Sequence, residues 1–133
     1  MPAHTVHVRV RYAETDQMGV AHHAAWVPWF ELARIEWLRA HGHSYRELEA
    51  AGVAMPVIEL GVRYRQPARF DDEIALTTEA VAVPPSRVRF RTRAERDGRL
   101  LAEAEVVVAS VDAQGRPTRL PPALLAIAGL AAP

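Results

Sequence analysis

The segment Tyr12 to His23, YAETDQMGVAHH, gathers the groups in this chain best placed to do chemistry: Tyr12, Glu14, Asp16, His22 and His23. Asp16 sits in a Gly-containing loop seven residues before His23, close to where a helix begins. A helix N-terminus presents unpaired N–H groups and a partial positive charge, so it can polarise a carbonyl or hold an oxyanion. A carboxylate next to such a hole can act on water as a general base or attack the carbonyl itself. Those two parts suffice for acyl transfer without Ser, Cys or metal.

Each of these groups also has a plainer reading. Asp16 could merely cap a turn, and Tyr12 could be a strand residue with a satisfied hydroxyl. His22 and His23, with His41 or His43, raise the question of a metal. Adjacent histidines on a regular element diverge and i,i+4 spacing is absent, so no metal site and no cofactor are expected.

The elements that must position these groups follow from hydrophobic periodicity. Val6, Val8 and Val10 alternate with His7, Arg9 and Arg11, which predicts a half-buried strand over 5–13. Trp26, Phe30, Ala33 and Trp37 recur at helical spacing, with Val27 and Leu38 flanking the stripe, which predicts a long helix over 24–40. Pro28 falls near its first turn, where a missing N–H costs little. Gly42 stops this helix. A short one over 44–51 opens with a Ser44/Glu47 capping box and ends at Gly52.

The remainder reads as strands over 56–64, 73–83, 87–95 and 100–111. PARFDD, VPPS and ERDG separate them, and Asp97-Gly98 is a tight-hairpin signal. A last helix is expected over 122–128. The order, a strand, a long helix and then four strands on short antiparallel connections, most economically folds as a sheet curled around the helix.

Composition bounds the rest. The 133 residues, half of them hydrophobic, fit a single domain, 1–133, with a real core. Sixteen basic residues balance sixteen acidic ones, which argues against non-specific nucleic-acid binding. No cysteine is present, which removes disulfides, thiolate nucleophiles and Cys-based zinc sites. The N-terminus, MPAHTVHVRV, lacks a signal pattern. The apolar stretch 120–132 contains Pro121 and Pro122 and is shorter than the roughly 20 residues a spanning helix needs. A cytoplasmic protein without stable membrane insertion is expected.

The segment RYAETDQMGVAHHAAWVPWFELARIEWLR, together with VRYRQPARFDDEI and EAEVVVASVD, resembles the Asp-dependent hotdog-fold acyl-CoA thioesterases. That group comprises 4-hydroxybenzoyl-CoA thioesterase and the acyl-CoA thioesterases encoded with the Tol-Pal system. Their shared Tyr-x3-Asp-x6-His motif, just ahead of the long helix, is matched by Tyr12, Asp16 and His23. The resemblance spans nearly the whole chain. It implies an α+β hotdog fold, with an antiparallel sheet of about five strands wrapped around one long helix. It also implies hydrolysis of a CoA thioester, with Asp16 as base or nucleophile and the backbone N–H near His23 facing the thioester carbonyl. In such proteins the site lies between subunits, so a homo-oligomer is implied, a dimer or a dimer of dimers (a homotetramer). Two departures, His22 where many relatives carry Tyr and Trp26 where a Tyr usually follows the motif, bear on which acyl group is taken.

With an acyl-CoA as substrate and partner, further residues become candidates. His22 and Trp26 would lie near the acyl pocket, although the tryptophans are mostly core. Arg87, Arg89, Arg91 and Arg93 alternate along one strand, and guanidinium pairs phosphate two-pronged. Most of them are expected to cross-pair with Glu79, Glu103 or Glu105 instead, leaving one or two, with Arg87 and Arg89 foremost, for CoA. Arg65 and Arg69 are lesser candidates, and Asp71-Asp72 reads as turn chemistry. The rival reading is a non-catalytic acyl-CoA-binding module, a sensor or scaffold. A hotdog dehydratase would need a His/Glu pattern that this chain does not show.

Overall fold

A strand, a helix and an alternating C-terminal half give one sheet against one long helix. The computed structural model describes residues 3–128, so the ends of the N-terminal segment and of the apolar 120–132 stretch lie outside the described residues. The elements are β1 (His4–Arg9), α1 (Trp26–Ala40), α2 (Tyr45–Ala50), β2 (Val57–Tyr64), β3 (Glu73–Val83), β4 (Arg87–Arg96), β5 (Arg99–Ala109) and α3 (Pro122–Ala128). Two short 3-10 turns, Tyr12–Glu14 and His23–Ala25, precede α1. No helix among the described residues is long and apolar enough to cross a membrane.

The first strand is shorter than its alternation suggests. Arg11 N–H donates to Glu14 Oε1 at 2.7 Å, and that bond turns the chain into the 3-10 turn holding Tyr12. α1 ends with Gly42 and His43 N–H groups on the carbonyls of Arg39 and Leu38, the double bond pattern that satisfies the last orphan acceptors. Ser44 Oγ accepts Glu47 N–H at 3.2 Å to cap α2; the reciprocal bond of a full capping box is not made among the described residues.

All strand pairs are antiparallel, in the order β1-β3-β4-β5-β2. Strands β3 to β5 form a meander. Its second turn is the expected hairpin, with Asp97 at φ 51° and Gly98 at φ 79°, the paired positive values of a tight two-residue turn. β2 departs from the expectation that all four later strands follow one another. It pairs with β5, not β3, so the β2–β3 connection crosses the sheet and β2 becomes an edge. The register sets Leu60 opposite Val106, Val62 opposite Ala104 and Tyr64 opposite Ala102.

Trp26, Phe30, Ala33 and Trp37 are all buried, joined by Trp29 and Leu38. They face Ile74, Leu76 and Ala80 of β3 and Val88, Phe90 and Ala94 of β4. Each large side chain so buried contributes about 1.5–3 kcal/mol. A hydroxyl pair, Thr78–Thr92 at 2.9 Å, is buried in the same face and satisfies itself. The architecture expected from the resemblance, a five-stranded antiparallel sheet against one long helix, is the one observed.

Candidate active site

The loop between β1 and α1 is a small hairpin. Glu14 O accepts His22 N–H at 2.8 Å, Thr15 bridges to Ala21, and Asp16 N–H donates to Val20 O at 2.9 Å. The turn closes where Gly19 N–H meets Asp16 O at 2.9 Å, with Gly19 at φ 81°, a value that side chains resist. The returning strand is tied down by Ala21 N–H on Ala68 O at 2.7 Å and by a Val20–Arg69 bridge. PARFDD therefore serves as the hairpin's foundation.

Asp16 stands at the tip. Its Oδ1 accepts Met18 N–H at 2.9 Å, the local turn-capping bond that the plainer reading anticipates. Its Oδ2 accepts no hydrogen bond among the described residues. One carboxylate oxygen thus fixes the side chain and the other is available.

The returning strand runs into the helix entrance. His22 caps it, its Nδ1 accepting Ala24 N–H at 3.1 Å. His23 N–H, the first donor of the turn, has no acceptor among the described residues, as an N-terminal orphan should not. The His23 carbonyl accepts the Tyr64 hydroxyl at 2.9 Å. Contrary to the expected divergence, the His22 and His23 rings lie against each other, with centroids 4.1 Å apart and planes tilted by 32°. The reason is that the pair straddles an extended cap residue and a turn, not a regular element. Among the described residues no group of three or more His, Asp or Glu is gathered as a metal site would require.

The other expected residues are placed less centrally. Tyr12 is 77% exposed and meets Phe70 edge-on at 5.3 Å, so the structure does not bring its hydroxyl to Asp16. Trp26 is 2% exposed and packs on Trp29, Phe30 and Tyr64; it belongs to the core. Arg87 and Arg89 lie on the sheet face opposite α1, towards the end of β4 away from the hairpin. Arg96, which bonds Asp72 in the hairpin's foundation, marks the near end. At about 3.3 Å per strand residue, that separation keeps both from the same chain's Asp16. Arg89 Nε lies 3.1 Å from Glu105 Oε1, at an angle too poor for a hydrogen bond. Arg91 contacts Glu105 at 3.5 Å, so cross-strand pairing accounts for these two. Arg93 instead meets Glu95, at 3.8 Å.

Two residues here escaped the sequence reading. Glu14, noted only as reactive, has a side chain 11% exposed and is bonded by Arg11, Trp29 and His22. Tyr64 anchors the helix entrance from β2. No spacing rule connects Glu14 to Trp29 or Tyr64 to His23, because those contacts cross between elements.

Comparisons with known proteins agree on one group. The profile of the thioesterase-like superfamily matches residues 10–127. The acyl-CoA thioester hydrolase YbgC of Escherichia coli O6:H1 is 40% identical over 121 residues, covering 90% of each chain. Among solved structures, hypothetical protein TT1821 from Thermus thermophilus superposes with TM-score 0.87 at 38% identity, over 92% of this chain and 98% of that one. The DHNA-CoA thioesterase of Staphylococcus aureus superposes with TM-score 0.86 at 27% identity, over 90% and 82%.

Proposed function

This chain belongs to the thioesterase-like superfamily, and from that membership we propose that it hydrolyses an acyl-CoA or aroyl-CoA thioester to the free acid and CoA. The observation that carries the reading is the pairing, in one hairpin, of an Asp16 oxygen left free with an unpartnered His23 N–H at a helix entrance. Two of the proteins named above, YbgC and the Staphylococcus aureus enzyme, act on CoA thioesters by their names, and this geometry supports the same reaction here.

The thioester carbonyl oxygen accepts the His23 N–H, which stabilises the oxyanion as it forms. Along one route Asp16 takes a proton from water while the water oxygen bonds to the carbonyl carbon. The tetrahedral intermediate collapses, the C–S bond breaks, and the CoA sulfur leaves with that proton. Along the other, Asp16 attacks directly, the CoA thiolate leaves, and water opens the resulting mixed anhydride to restore the carboxylate.

Arg69 flanks the hairpin through its bridge to Val20, and its guanidinium is unpaired among the described residues. It is better placed than Arg87 or Arg89 to meet the phosphates of CoA. Those two could serve only a site on another copy. Edge strand β2 exposes Val57, Ile58, Leu60 and Tyr64, and an exposed apolar edge is a template for pairing. We read the protein as a cytoplasmic homo-oligomer joined across that edge.

The test is CoA release from a panel of aliphatic and aromatic acyl-CoAs, followed with a thiol-reactive dye; a chain without cysteine adds no background. Turnover of one class names the substrate. Tight binding without turnover on any member would replace hydrolysis with a sensor or scaffold role.

A further inference from the structure

We infer that Glu14 is a positioning residue that locks the Asp16 hairpin onto helix α1 and so sets the relation between the reacting carboxylate and the His23 N–H; this rests on the hydrolytic reading of Asp16. Three bonds meet at this one residue. Glu14 Oε1 accepts Arg11 N–H at 2.7 Å, where the chain leaves β1. Its Oε2 accepts the Trp29 indole N–H at 2.8 Å, in the first turn of α1. Its carbonyl accepts His22 N–H at 2.8 Å, at the helix entrance. The Arg11 guanidinium adds a looser contact to Oε2 at 3.4 Å.

The two carboxylates of the hairpin are thereby given different work. Both oxygens of Glu14 are held by N–H donors, in a side chain almost removed from solvent, so it is not free to take a proton from water or to attack carbon. Asp16, two residues on, keeps one oxygen open. Trp29 is buried in the core against Trp26, so the indole that Glu14 grips is itself immobile. A hydrogen bond to a fixed donor transmits the rigidity of the core to the loop. Misplacing reacting groups by about 1 Å costs on the order of 10²-fold in rate, which is the scale on which such a tie matters.

The experiment uses the full chain and the acyl-CoA it turns over best. Glu14→Ala is expected to lower kcat about 30- to 100-fold with KM within about threefold of native. Trp29→Phe, which removes the indole N–H together with part of the buried ring, should lower kcat by less, about 3- to 10-fold, and the double variant should lose less than the product of the two because they share a bond. Glu14→Gln keeps an acceptor oxygen and should restore part of the rate, with the acid limb of the pH–rate profile where native protein has it. Native kcat in Glu14→Ala, a loss confined to KM, or disappearance of the acid limb in Glu14→Gln would each overturn the inference. If Glu14→Ala does not fold, native-like kcat in both Glu14→Gln and Trp29→Phe overturns it instead. Asp16→Asn run alongside separates the two claims. An active Asn variant defeats the role of Asp16 on which the inference rests, whereas an inactive one beside native-like Glu14 variants defeats only the positioning role.

Discussion

The Tyr64 hydroxyl donates to the His23 carbonyl oxygen at 2.9 Å, joining the end of edge strand β2 to the turn that opens α1. The bond fixes one side of His23 while the N–H on its other side has no acceptor among the described residues. Tyr64→Phe keeps the ring and its contact with Trp26 and removes only this tie. We expect a fall in kcat of about 3- to 10-fold and a loss of stability of about 0.5–1 kcal/mol, the low end for a hydrogen bond because Tyr64 is half exposed. Steady-state kinetics and a thermal melt check both.

Asp16→Asn should leave the turn standing, since an amide oxygen can still accept Met18 N–H. Turnover should nevertheless fall by at least about 10²-fold, the scale for losing a base or nucleophile. A melting temperature close to native, measured on the same sample, would assign the loss to chemistry.

Asp72 Oδ2 accepts both Arg69 N–H, at 2.8 Å, and the Arg96 guanidinium. The ion pair is largely shielded, with side chains 28% and 23% exposed. Arg96→Met strips the carboxylate of its charge partner and should cost about 2–3 kcal/mol in urea unfolding. Since Ala68 and Arg69 underpin the returning strand of the hairpin, activity should decline in the variant as well.

The Arg65 guanidinium, hydrogen-bonded to Glu103 at 2.7 Å, holds that carboxyl below the usual glutamate range. A depressed acid stabilises the fold above the ordinary glutamate range, and that contribution fades as pH falls through the range and below it. Glu103→Gln should therefore lower the melting temperature slightly at neutral pH and converge with native protein as pH falls, flattening the acid side of the profile. The pair is exposed, so the effect should be small and shrink further in high salt.

Leu60 projects from β2 on the α1 side of the sheet, opposite Val106, and is 45% exposed. Leu60→Lys should drive the protein to monomer in analytical ultracentrifugation and lower activity. A native protein that is already monomeric at assay concentration, and active, would remove the edge-pairing proposal.

Much of the fold is legible because burial imposes period. Trp26, Phe30, Ala33 and Trp37 announce α1, and alternation along β4 separates Val88 and Phe90 from the arginines between them. Sheet order is not legible in the same way. β2 alternates well enough to suit either β3 or β5, and only tertiary packing decides. At the site, Asp16 and His23 stand out through the family spacing and the helix entrance, but Glu14 does not. Its indole partner lies fifteen residues along, on another element, and a charged loop residue ordinarily faces water. Tyr12 shows the converse: it keeps the family spacing, yet the turn made by Glu14 swings it out against Phe70.

β1 completes the sheet only by pairing with β3, His4 opposite Thr78, and α1 is covered only once β3 and β4 exist. During synthesis from the N-terminus, all three tryptophans of the chain emerge well before the surface that buries them. A nascent chain stopped short of β3 therefore carries a bare aromatic face and an unpaired first strand, both prone to wrong partners. Because the hairpin bearing Asp16 leans on Ala68 and Arg69 and its strand on β3, all later in the chain, it is not expected to hold its shape as a free-standing piece.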